Sequence, residues 1–133
     1  MSPAPGPGVT VRISKQFRFE AAHVLPFHTG KCARLHGHSY RLDVAVAGPL
    51  QSDGPAAGMI QDFDDLAAVV RPLVVERLDH TLLNDTIDNP TAERIALWIW
   101  NALAAGLPLL DEIVVWETPT ACAVVRAGDA RAR

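Results

Sequence analysis

Three of the five histidines in this chain, His23, His36 and His38, fall where chain periodicity can gather them. From Val9 the odd positions Val9, Val11, Ile13, Phe17, Phe19 and Ala21 are apolar, while Thr10, Arg12, Ser14, Gln16, Arg18 and Glu20 are polar. Alternation of period two marks a strand with one buried face, and His23 has the apolar parity. The pattern returns in Tyr40, Leu42, Val44 and Val46, set against Ser39, Arg41 and Asp43, and His36 and His38 share the apolar parity. If the segment from Val24 to Leu35 connects an antiparallel hairpin, the end of the first strand meets the start of the second and the three imidazoles converge. One inward histidine alone reads as a hydrogen-bonded core residue. A pair at i, i+2 facing a third is different, because three uncompensated imidazoles are costly to bury. A zinc ion resolves that cost, and three protein ligands leave a fourth position open for water or substrate. Gly37 sends no side chain to the opposite face, which lets another backbone approach there.

Other reactive side chains adjoin the trio. Cys32 lies in the connection four residues before His36. Beside a cation its thiol pKa would fall, making it a base and nucleophile; a fourth zinc ligand or an incidental free thiol are the other readings. Asp79 and His80 adjoin in LDHTLLND. A carboxylate can fix an imidazole's tautomer and raise its basicity, or His80 can simply complement the negative end of a preceding helix. Glu117 has the parity of Ile113 and Val115. An inward carboxylate needs compensation, which a ligand with two parallel N–H donors supplies; if the strand ends at Trp116, Glu117 is an ordinary exposed residue. Asp62, Asp64, Asp65 and Glu93 suit helix N-termini. Cys122, within an apolar strand, reads as core packing, and His28 as a solvated loop residue.

The elements that must position these groups follow from punctuation and periodicity. GPLQSDGPAAG, from Gly48 to Gly58, is a surface loop. Asp62 caps a helix whose apolar stripe, Phe63, Leu66, Ala67, Val70, Leu73 and Val74, runs to about Arg77, with a kink or early end at Pro72. A second helix starts near Pro90 after a cap at Asn89, carries Ile95, Trp98, Ile99, Ala102 and Leu103, and stops at Gly106 and Pro108. Ile113 to Trp116 and Ala121 to Val125 make a final hairpin. The order ββααββ is an α+β plan, helices on one face of an antiparallel sheet.

With 133 residues, 49% of them hydrophobic, the chain suits one domain of the common size of about 100 to 150 residues. The expected organisation is a flexible arm over 1–8, one domain over 9–126 and a flexible tail over 127–133. A net charge of -3 without a basic block argues against nucleic acid and for a small-molecule substrate. MSPAPGPG has neither the basic nor the apolar region of a signal peptide. No apolar run nears the roughly 20 residues of a membrane span, so a cytoplasmic protein is expected. Two cysteines are too few for a disulfide framework, and both should be free thiols.

FRFEAAH (17–23), KCARLHGHSY (31–40), MIQDFDDL (59–66), RLDHTLLND (77–85), NPTAERIALWIW (89–100) and VVWET (114–118), in this order, resemble the 6-pyruvoyltetrahydropterin synthase superfamily. The CARLHGH spacing is similar to that of its bacterial 6-carboxytetrahydropterin synthase branch, which serves queuosine biosynthesis. The resemblance implies a tunnelling-fold (T-fold) subunit, a four-stranded antiparallel sheet with two helices on one face. Sheets of several copies would close into a barrel, giving a homo-oligomer, trimer or hexamer, with sites at subunit interfaces. It further implies that His23, His36 and His38 hold Zn²⁺, that Cys32 is the catalytic thiol with Asp79 and His80 as relay partners, and that Glu117 grips the pterin. Thr91 and Glu93 would help to seat the pterin. The implied reaction converts 7,8-dihydroneopterin triphosphate to 6-carboxytetrahydropterin, acetaldehyde and triphosphate, with 6-pyruvoyltetrahydropterin formation, or zinc and pterin binding without turnover, as the rivals.

Overall fold

The computed structural model describes residues 9–131; the arm expected over 1–8 lies outside the described residues. The two alternating segments become long strands, β1 (Val11–His23) and β2 (His36–Gly48). They pair antiparallel without a break, from Val11 opposite Gly48 to His23 opposite His36. Unbroken register matters because a slip of one residue would turn every side chain to the other face.

Asp62 caps helix α1 (Phe63–Val70), its carboxylate accepting the Asp64 N–H at 2.7 Å. The regular α1 ends at Val70, just before Pro72, though the chain stays helical. Proline has no N–H to give the ladder, and the chain widens into a π turn over Arg71–Val75 in which the Glu76 N–H reaches the Arg71 carbonyl. Regular helix then resumes as α2 (Glu76–Leu78). The two-residue strand β3 (Thr81–Leu82) pairs parallel to β1 at Ala21 and Ala22. It is too short to carry a periodic signal, so the sequence gives no hint of it.

The cap expected at Asn89 is corrected. Helix α3 (Ala92–Ala104) has Thr91 as its cap, the hydroxyl accepting the Arg94 N–H at 3.2 Å. Asn89 lies outside the helix with φ 45°. β4 (Leu110–Thr118) and β5 (Ala121–Arg126) form the final hairpin, with an irregularity between Trp116 and Thr118. Beyond it, where a tail was expected from 127, Ala127–Arg131 form the short helix α4 and Ala127 is buried.

The sheet order is β3-β1-β2-β4-β5. Four antiparallel strands are therefore present as expected, and β3 makes the sheet mixed. One face carries Phe17, Phe19, Tyr40, Leu42, Val44, Ile113 and Val115, which pack with Leu66, Val70, Val74, Ile95, Ile99 and Leu103 of the helices. Cys122 is exposed rather than packed in this core. It pairs with Trp116, and on an edge strand that parity turns away from the helices.

Thr91→Ala removes the α3 cap and should cost about 1 kcal/mol, read as a lower urea midpoint at unchanged slope, whereas Thr91→Ser should keep most of the stability.

Candidate metal centre and adjoining clefts

His23 and His36 face each other across the last pair of the hairpin, and His38 lies next along the same face, opposite Ala21. The ring centroids are 4.5 Å apart for His23 and His36, 5.1 Å for His23 and His38, and 4.9 Å for His36 and His38. One ligand atom from each ring lies within 4.8 Å of the others.

The hydrogen bonds decide what such a cluster can hold. His23 is fully buried, and its Nδ1–H donates to the Pro90 carbonyl at 2.8 Å. His36 Nδ1–H donates to the Arg34 carbonyl at 2.6 Å. A carbonyl oxygen only accepts, so both protons sit on Nδ1 and both Nε2 atoms present lone pairs. Those two Nε2 atoms stand 2.9 Å apart. Two lone pairs at that distance repel unless a cation shares them. His38 Nε2 is buried and has no hydrogen-bond partner among the described residues. This donor set fits a metal ion: neutral imidazoles, two with tautomers fixed by acceptors behind them, in the manner that orients metal-ligating histidines generally.

His38 is held toward the neutral form. Burial lowers its pKa first, and the neighbouring His23 and His36 lower it further, against an upward pull from Glu117. The Glu117 carboxylate lies 3.7 Å from His38 Nε2, which places Glu117 on the inner face as its parity indicated. Tyr40, stacked on Phe19 at 5.0 Å, brings its hydroxyl to 3.4 Å from His23 Nδ1. Burial and then Glu117 push the Tyr40 pKa up, so the phenol stays protonated.

Cys32 sits half-buried in a 3-10 turn, Lys31–Ala33, and is not among the clustered ligand atoms. Among the described residues it makes no side-chain hydrogen bond to Asp79 or His80. Asp79 Oδ1 accepts the Glu20 N–H at 2.9 Å, and the His80 N–H donates to the Glu20 carbonyl at 2.6 Å. His80 Nε2 is 3.6 Å from Asp79 Oδ2, its side chain 79% exposed and its φ 58°. Thr91 is committed to its cap and Glu93 is exposed in the first turn of α3. His28 is exposed, its Nδ1 accepting the Gly30 N–H at 2.8 Å.

Two clefts meet over Gly37, His38 and Ser39. One, about 540 Å³, is lined also by Glu20, Leu35, His80 and Thr81. The other, about 450 Å³, is lined also by Arg18, Arg41, Trp116, Glu117 and Pro119. A Cβ on Gly37 would meet only the Ala21 carbonyl at 3.5 Å. Within this chain the bare glycine thus opens cleft volume rather than admitting a neighbouring backbone.

Sequence reasoning missed the backbone carbonyls of Pro90 and Arg34, since a carbonyl acceptor has no residue type to betray it. It also missed Asn84. That side chain accepts the Val24 N–H at 2.9 Å and donates to the Val24 carbonyl at 2.8 Å, fixing the residue after His23. Nor did it single out Trp116, whose Nε1–H donates to Asp43 at 3.0 Å while Arg41 lies 4.6 Å above its ring.

His36→Ala should abolish stoichiometric metal uptake, read as metal per chain after dialysis, and leave the fold intact by circular dichroism. Wild-type metal content should be full at neutral pH and fall on acidification, because protons compete with the ion for the imidazole lone pairs.

Residues 12–128 match the family described as 6-pyruvoyl tetrahydropterin synthase. The chain is 50% identical over 115 residues to the 6-carboxy-5,6,7,8-tetrahydropterin synthase of Synechocystis sp., covering 84% of this chain and 89% of that one. To the protein of the same name from Haemophilus influenzae it is 35% identical over 132 residues, with coverage of 82% and 94%. In three dimensions it is similar to 6-pyruvoyl tetrahydropterin synthase of Caenorhabditis elegans, with a TM-score of 0.78, 24% identity and coverage of 96% and 99%. With the histidine cluster at the hairpin end, these likenesses lead to one conclusion: the chain belongs to the 6-pyruvoyl tetrahydropterin synthase family.

Proposed function

We propose that this protein is a zinc-dependent 6-carboxy-5,6,7,8-tetrahydropterin synthase, converting 7,8-dihydroneopterin triphosphate to 6-carboxytetrahydropterin, acetaldehyde and triphosphate. The observation that carries the reading is the pair of Nε2 lone pairs held 2.9 Å apart beside an unpartnered His38 Nε2, in a chain 50% identical to a synthase of that name.

His23, His36 and His38 hold the zinc ion, which when bound supplies Lewis-acid polarisation of the substrate's side-chain oxygens. Glu117 takes the paired N–H donors of the pterin, the geometry in which a carboxylate binds most selectively. Thr91, whose O–H can still donate while its oxygen caps α3, and Glu93 seat the same ring. Cys32 accepts and returns the proton that moves between side chain and ring, as a positioned base and acid. Asp79 orients His80, and His80 exchanges the proton with the thiol.

Among the described residues of one chain Cys32 makes no hydrogen bond to that pair, so the pair is supplied by an adjacent copy. The edges of the sheet favour such assembly. β3 covers β1 only at Ala21 and Ala22 and Asp79 and His80 bond Glu20, which leaves the outer side of 11–19 without a strand partner among the described residues, and β5 is the opposite edge. Open edges invite strand pairing, and closing them into a barrel removes them. The assembly is a homo-oligomer, trimer or hexamer. No helix among the described residues is long and apolar enough to cross a membrane, and the enzyme works in the cytoplasm on a soluble pterin within queuosine or related deazapurine synthesis.

Mass spectrometry after incubation with zinc-loaded enzyme and dihydroneopterin triphosphate should find the 6-carboxy product and an equivalent of acetaldehyde. A 6-pyruvoyl product without acetaldehyde would overturn the assignment, and ligand binding without any product would reduce the protein to a binding module. Cys32→Ala should retain zinc and lose turnover by about 10²-fold or more; unchanged turnover would remove the thiol from the mechanism.

A further inference from the structure

We propose that Asn89 is a positioning residue for the metal centre: its left-handed backbone aims the Pro90 carbonyl at His23 and thereby fixes which nitrogen of His23 is free to bind metal. The inference rests on the metal reading above and extends it to a residue far from the ligands in sequence.

The Pro90 carbonyl is the close hydrogen-bond partner of His23 Nδ1, at 2.8 Å, against 3.4 Å for the Tyr40 hydroxyl. His23 is fully buried, so water cannot replace that acceptor. The oxygen is available because of how α3 begins. In a continuing helix the Arg94 N–H would seek the Pro90 carbonyl, four residues back; here the Thr91 hydroxyl takes it. Asn89 sets the direction of the turn. Its carbonyl accepts the Thr91 N–H at 2.8 Å, and its φ of 45° is one of two positive values among the non-glycine residues described.

That conformation is costly for most residues. Asparagine tolerates it better than others, β-branched residues tolerate it least, and glycine adopts it freely. A residue before proline is restricted further. The base of the turn is fixed by Ile87, buried at 5% exposure with its N–H donating to the Leu83 carbonyl at 2.7 Å. It is fixed also by the Asn84 clamp on Val24. A strained residue on a fixed base, ending at an acceptor for a metal ligand, is strain retained where it serves a purpose.

The test is competition for Zn²⁺ between the protein and a chromophoric chelator, with thermal unfolding of the metal-free protein measured alongside. Asn89→Gly keeps the backbone angle and should stay within about 3-fold of wild type, while Asn89→Val should weaken zinc binding by about 10 to 100-fold, the usual cost of losing a partner behind a ligand. Leu103→Ala, in the core at the far end of α3, should lower the unfolding temperature without changing zinc affinity. If Asn89→Val does not fold, Asn89→Ala takes its place. The proposal is overturned if the Val or Ala variant binds zinc as tightly as wild type, if Asn89→Gly weakens it equally, or if Leu103→Ala weakens it to the same extent. A wild-type protein that takes up no zinc overturns the metal reading as well, so the two failures are distinguishable.

Discussion

Two carbonyl oxygens, of Pro90 and Arg34, impose the constraint on which the centre depends. Each can only accept, so each forces the proton of a facing imidazole onto Nδ1. The Nε2 lone pairs that remain are held 2.9 Å apart. Neither ring can turn away cheaply: His23 is fully buried, and His36 would forfeit a 2.6 Å hydrogen bond. A cation converts this repulsion into attraction, and the fixed acceptors mean that little reorganisation is needed when it binds. The rest of the fold can be understood as what holds these four groups in place.

The hairpin does most of that. Thirteen consecutive pairs in register, from Val11 opposite Gly48 to His23 opposite His36, keep three imidazoles on one face and leave Glu20, Ser39 and Arg41 on the other. Burial of Phe17, Phe19, Tyr40 and Leu42 beneath the helices pins the register, because a slip would expose that whole set. The site therefore borrows its precision from the core. Its outward neighbours form a separate polar layer, with Ser39 Oγ donating to Glu20 at 2.6 Å and Trp116 donating to Asp43.

The four antiparallel strands, the first helix and the histidine trio are legible because each rests on a side-chain period, which one sequence displays directly. Glu117 was placed correctly by the same parity, despite the irregularity after Trp116. What failed to show in the sequence was whatever depends on backbone atoms or on exposure. Asn89 has the residue type of a cap, yet Thr91 performs that role while Asn89 makes the turn. Pro72 signalled a disturbance, but not that the helix would absorb it as a π turn and continue. Cys122 looked internal in an apolar run, and only the position of β5 at the sheet edge makes it exposed.

The segment from Asp79 to Pro90 also explains why the end of β1 can carry a functional site at a sheet edge. It runs beside the last residues of that strand and satisfies them in turn: Asp79 and His80 bond the backbone of Glu20, Thr81 and Leu82 pair with Ala21 and Ala22, Asn84 holds Val24, and Pro90 reaches the ring of His23. Both non-glycine residues with positive φ among those described, His80 and Asn89, bracket this strap. Without the strap, the unpaired backbone groups beside His23 would need water, and water there would compete for the imidazole protons that the carbonyls now fix. Regular strand could satisfy the backbone but could not also deliver a carbonyl to a side chain on the inner face. The two left-handed residues are the conformational cost of a strap that does both, and that cost is small beside leaving a fully buried imidazole and two half-buried ones with nothing to share their lone pairs.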